Sequence, residues 1–190
     1  MPRVFTFDPD QVAQYEAAGW RAYYDRTWLR LFRLLVGLCQ RQFHIPFPVS
    51  LLAAYYVVRA AAAWAPADHD SFLVRAYYEK FYRLARRYSG LTFDPARVAA
   101  LELAYNDVHR RLAGRPDKSA FVDTMTELHS TLFGITLAQA REPAEFRVAA
   151  TTTVDLITSG ASTNVEADWA RVEDQLRQCY GSIRTNLRNR

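Results

Sequence analysis

This 190-residue sequence predicts an all-α fold, a compact bundle of about eight helices. Three observations carry that reading. Apolar residues recur at helical spacing along nearly the whole chain, no segment keeps the two-residue period of a strand, and turn signals punctuate the pattern at short intervals. Connections this short favour antiparallel neighbours.

The elements follow from local chemistry. A first helix over 9–24 opens on Asp8 as N-cap, with Pro9 in the first turn where its missing N–H costs nothing, and Phe7 with Val12 has the spacing of a hydrophobic staple. A second, 27–43, runs to the His44–Pro48 turn. The third, 48–64, is apolar nearly all round, as expected of a helix covered on most sides. After Ala65-Pro66-Ala67-Asp68 comes a fourth, 70–88, with Asp68 or Asp70 as cap, and Ser89-Gly90 ends it. The fifth, 95–112, repeats the opening device with Asp94, Pro95, Phe93 and Val98. A sixth spans 118–133, a seventh 143–158 and an eighth 165–186, separated at the end by Ser159-Gly160-Ala161-Ser162.

The chain writes nearly the same words twice, TFDPDQVAQYE at 6–16 and TFDPARVAALE at 92–102. Capping chemistry explains much of the likeness, but Glu16/Glu102 is among the identities it leaves over. Downstream, QFHI (42–45) matches LFGI (132–135) at an offset of 90, and Val74, Tyr77, Phe81, Leu84 and Tyr88 fall on Trp169, Val172, Leu176, Cys179 and Ile183 at 95. Offsets that change only in loops predict a tandem duplication of a four-helix unit, repeats 5–90 and 91–186, with pseudo-two-fold symmetry inside one domain, 1–190. The third helix of each half is then expected near the pseudo-axis, with Arg59 and Asp155 facing inward as a pair.

Composition narrows the function classes. Half the residues are apolar and 14% aromatic, which excludes a disordered chain. The net charge of +4 comes from 22 Arg and two Lys, with acids interspersed, so nucleic acid is not an expected partner. The arginine clusters (Arg83, Arg86, Arg87; Arg110, Arg111, Arg115; Arg184, Arg188, Arg190) lie at helix C-termini, where cations complement the helix dipole, and nucleic-acid binding through them stands as a third functional alternative. The longest apolar stretch, 51–65, is too short to cross a bilayer and carries Arg59, so no membrane partner is expected. Met1–Val4 leads to Asp8 without an apolar core of a signal peptide, and Cys39 and Cys179 suggest neither a disulfide framework nor a metal set. A cytoplasmic protein is the expectation.

No nucleotide loop, dinucleotide fingerprint, zinc-hydrolase helix or nucleophile elbow is present. Neither a cofactor nor catalysis is expected, and the leading reading is an interaction or scaffold protein, as a homo-oligomer. An alternative is a binder of a small apolar or aromatic ligand, or an enzyme, using a cleft between the halves lined by Tyr55, Tyr56, Arg59 and Trp64 with Asp155 opposite. The best polar constellation is Glu102, Asn106 and His109 on one helix face, with His129 level across a hairpin. Glu102, His109 and His129 are the candidate metal or acid–base set, though without the Glu-x-x-His signature of di-metal bundles. Tyrosine doublets (23–24, 55–56, 77–78) serve two surfaces at once, because helical neighbours point about 100° apart.

Overall fold

The computed structural model describes residues 5–188; Arg190 and the Met1–Val4 segment lie outside them. Among the described residues the chain is all-α, with α1 (Pro9–Tyr24), α2 (Trp28–Phe43), α3 (Val49–Trp64), α4 (Ser71–Ser89), α5 (Pro95–Leu112), α6 (Ser119–Phe133), α7 (Leu137–Thr158) and α8 (Val165–Arg188). Each helix packs on the next, α8 returns to α1, and α2 also touches α4, so the elements close into a ring.

The caps form as the side chains dictate. Asp8 accepts from the Asp10 and Gln11 N–H groups, Asp94 from Ala96, and Asp70 from Phe72 and Leu73. That last contact gives Asp70 of the Asp-His-Asp run a structural task. Phe5, Phe7, Leu91 and Phe93 enter the core just ahead of the two capped helices. At the ends of α2 and α6, His44 and Gly134 take the left-handed conformation that closes a helix. His44 has a Cβ to accommodate there, and its Nε2 lies 2.7 Å from the Thr6 carbonyl, which anchors it.

Helix α7 begins at 137 rather than 143. Thr136 and Gln139 form a reciprocal capping box, so Pro143 lies inside the helix. Proline leaves the Gln139 carbonyl without its helical donor, and Asn186 of α8 supplies one at 3.0 Å.

Buried positions recur along the chain. Pro9, Val12, Ala13, Ala17 and Gly19 of α1 stand 86 residues before Pro95, Val98, Ala99, Leu103 and Tyr105 of α5. Cys39, Gln42 and Phe43 stand 90 before His129, Leu132 and Phe133, and Ser50, Ala53, Ala54 and Ala60 stand 90 before Ala140, Pro143, Ala144 and Ala150. For α4 and α8 the buried sets coincide at 98, not 95: Val74, Tyr78, Phe81, Tyr82, Ala85 and Ser89 against Val172, Leu176, Cys179, Tyr180, Ile183 and Leu187. Apolar periodicity alone tolerates either register, and burial selects one.

α3 packs on α4 and α2, whereas α7 packs on α8 and α6, and the two carry different interiors. The position of α3 that matches Arg147 of α7 is Val57.

Candidate functional site

A polar seam runs through the interior of the ring. It is built from one face of α5 (Glu102, Tyr105, Asn106, His109) and one face of α7 (Arg147, Thr151, Asp155), spaced three and four residues apart as a helical stripe requires. One helix separates α5 from α7 around the ring, so the side chains meet across its inside. Tyr105 Oη lies 2.9 Å from Thr151 Oγ1, and His109 Nε2 2.9 Å from Asp155 Oδ1. Phe121 of α6 holds the seam rigid by stacking on both the Tyr105 ring (4.8 Å) and the His109 ring (5.2 Å).

At the deep end sits Arg147. Its guanidinium pairs with Glu16 of α1 at 2.6 Å, lies 4.7 Å over the Trp20 ring, and donates to Tyr180 Oη at 3.3 Å. Tyr180 in turn donates a very short hydrogen bond to Glu16. The arginine side chain is 14% exposed and its partner 9%, so each charge depends on the other for compensation. Glu102 faces the same centre. Tyr82 of α4 donates to it at 2.8 Å, while Tyr78 accepts from Asn106 at 3.0 Å.

The electrostatics follow from burial. Desolvation pushes the Glu102 carboxyl above its usual range, against the opposing pull of the Tyr82 bond and of Arg147. His129, buried beside the same cation, is driven down to about 3, first by desolvation and then by Arg147. Burial carries the phenols of Tyr78, Tyr82, Tyr105 and Tyr180 upward, and the thiols of Cys39 and Cys179 up to about 12, which makes both free thiols unreactive. At the shallow end Tyr24 is raised to about 12 by burial and by the charge of Asp155.

The sequence-predicted candidates fall into separate places. Arg59 does not meet Asp155: it stays at the surface, bonded to Tyr55 Oη at 3.3 Å and lying 5.1 Å over the Tyr77 ring, while Asp155 pairs with His109. Tyr55 and Tyr56 belong to that same outer cluster with Lys80 of α4. Trp64 is tied to α5 instead, donating to Asp107 at 2.9 Å beneath the Arg110 guanidinium, which also caps the end of α3 by donating to the Trp64, Ala65 and Pro66 carbonyls. The expected cleft therefore does not assemble. Two surface depressions, of about 590 and 550 Å³, lie at α6–α7 and α4–α5 and include none of its residues.

Glu102, His109 and His129 likewise take separate partners or none: Tyr82, Asp155 and, for His129, a buried Nδ1 with no hydrogen bond. Among the described residues no three His, Cys, Asp or Glu side chains converge as a metal site. Sequence reasoning found the α5 stripe and missed Arg147. A helix assumed to start at 143 put that arginine in a solvated first turn. Its signal was the small residues around it (Pro143, Ala144, Ala150, Thr151) and the two leftover glutamates in search of a cation.

A second feature lies on the outside. From Arg26 to Ala67 the chain holds no Asp or Glu, and α2 and α3 leave much of their apolar surface half-buried or exposed. Leu29 is 80% exposed and Trp28 56%; Leu51, Leu52 and Tyr55 are also open. Among the described residues Arg26, Arg30 and Arg33, exposed at the start of α2, form no ion pair.

Fold and site together define a class, an all-α helical ring with a buried Arg–Glu–Tyr centre and one apolar, cationic hairpin. No family model, curated protein or solved structure matches the chain.

Proposed function

We propose that this protein is a non-catalytic interaction module, and that the α2–α3 hairpin is its docking surface for an anionic partner with an apolar face. The observation that carries the reading is the acid-free run from Arg26 to Ala67 with its uncovered apolar side chains. An exposed apolar surface of this kind marks an interaction site, and unpaired guanidinium groups at its rim select for negative charge. A two-fold pairing through this face sets arginine rows against each other, so the partner is not a second copy. The fluorophore bis-ANS, apolar and doubly anionic, tests the surface directly. It binds the native protein, Leu52→Ser with Tyr55→Ser weakens it about fivefold or more, and Leu137→Ser on α7 leaves it unchanged. Uptake only on unfolding, or uptake indifferent to the α3 substitutions, overturns the reading.

A second reading is favoured by one observation. Polar atoms of three interior side chains, His129 Nδ1, Arg147 Nε and Asp155 Oδ2, have no hydrogen-bond partner. They support the seam as a site for a small polar ligand entering at His109 and Asp155. Native mass spectrometry of the purified protein tests it; a co-purified small molecule lost in Asp155→Asn supports it, and a bare chain mass counts against it.

The two halves, α1–α4 and α5–α8, are in this reading copies of one unit. Support comes from the matched buried positions and from two equivalent contacts between halves, Tyr82 to Glu102 and Tyr180 to Glu16. A circular permutant opened between α4 and α5 and joined from α8 to α1 keeps cooperative unfolding; a molten permutant argues against duplication. Two free buried thiols suit a reducing, cytoplasmic compartment.

A further inference from the structure

Resting on the docking reading, we infer that the anionic partner is a phospholipid surface, met by the α1–α2 turn and the first turns of α2. Tyr23 and Trp28 form an exposed aromatic pair with ring centroids 5.9 Å apart in edge-on contact; Tyr24, partly covered at the shallow end of the seam, meets Tyr23 at 5.3 Å, and Leu29 next to Trp28 is 80% exposed. Among the described residues Arg26, Arg30 and Arg33, exposed and close by in sequence, have no carboxylate partner, and the acids near the turn, Asp25 and Glu166, both lie on Arg21, at 3.8 and 2.6 Å. Tyrosine and tryptophan with a polar tip seat at the headgroup level of a bilayer, leucine goes deeper, and arginine reaches back to phosphate.

Side-chain chemistry favours lipid over an acidic helix: rings with polar tips, a leucine beside them and arginines without carboxylate partners follow the polarity gradient of a bilayer interface. Phe72, 82% exposed, opens α4 as a further uncovered ring. Phe72 is the weaker anchor, because Asp68 and Asp70 stand next to it in sequence. Among the described residues no helix is long and apolar enough to cross a membrane, so the proposed contact is peripheral.

The test is co-flotation of the full chain with phosphatidylcholine vesicles, with and without about 30% phosphatidylglycerol. Trp28 is the internal reporter, since Trp169 is buried and Trp20 and Trp64 pack inside. The anionic vesicles bind the protein with a blue shift of its fluorescence, and Arg30→Glu with Arg33→Glu lowers partitioning about tenfold or more. Trp28→Ser with Leu29→Ser abolishes insertion while leaving thermal unfolding unchanged, as both side chains are exposed. No vesicle binding, equal binding to neutral vesicles, or indifference to the arginine substitutions overturns the inference. If bis-ANS still binds while vesicles do not, the docking surface stands and its partner is an acidic protein; if both fail, the docking reading falls as well.

Discussion

The hairpins α2–α3 and α6–α7 stand four helices apart in the ring and bury their side chains in opposite ways. In α6–α7 the inner faces are buried against the core, with Phe121, Met125, Leu128, Phe133 and Val148 inside, and the outer face is conventionally solvated. There Arg141 bridges Asp123 and Glu145, and Glu127 reaches Arg97. In α2–α3 the buried residues are few and mostly small (Gly37, Ser50, Ala53, Ala54, Ala60), and the outer face has no acid to pair with its arginines. One hairpin buries large apolar side chains, and the other leaves much of its apolar surface uncovered.

The comparison breaks most sharply at Arg147, where α3 has Val57. Arg147→Met strands Glu16 in the interior and costs about 3–5 kcal/mol in urea unfolding, while adding Glu16→Leu recovers most of the loss. Recovery fails if the arginine acts through packing on Trp20 alone.

His129 takes the slot that Cys39 fills in α2, and it makes the α6–α7 side acid-sensitive. Above pH 6.5 the imidazole is neutral in both states and no stability is lost. As pH falls, the unfolded chain takes up a proton that the folded one refuses until about pH 3, so its contribution drains away across that window. The loss is about 1.4 kcal/mol per pH unit. Glu102, raised by burial, runs the other way, favouring the fold at low pH and losing that advantage as pH rises through its elevated value. Comparing wild type with His129→Leu from pH 7 to pH 4.5 isolates the histidine; parallel stability curves would show that it does not titrate as described.

Smaller effects probe α2–α3. A Cβ on Gly37 meets the Tyr15 ring 2.2 Å away, a ring that also carries the Arg41 guanidinium at 4.0 Å. Gly37→Ala therefore costs about 1–3 kcal/mol through a displaced α1–α2 contact, measured as a lowered urea midpoint. Arg59→Met lies at the other extreme. With its guanidinium at the surface on Tyr55 and Tyr77, the change stays within about 0.5 kcal/mol. A large loss there would mean that α3 is more deeply engaged than α7, reversing the comparison.

Local chemistry was legible in the residues themselves. Asp8 with Pro9, Asp94 with Pro95, and Asp70 mark helix starts, because a cap needs only its own next three residues. The interior face of α5 could be read from the spacing of Glu102, Asn106 and His109. Tertiary structure alone decided which charge went inside. Arg59 and Arg147 both sit among small residues at a helical period, and nothing within either helix says which side its neighbours will cover. Pro143 is tolerated within α7 because Asn186, distant in the chain, bonds the carbonyl that it orphans. Caps and periods are set by neighbours in sequence, whereas burial and compensation are set by neighbours in space.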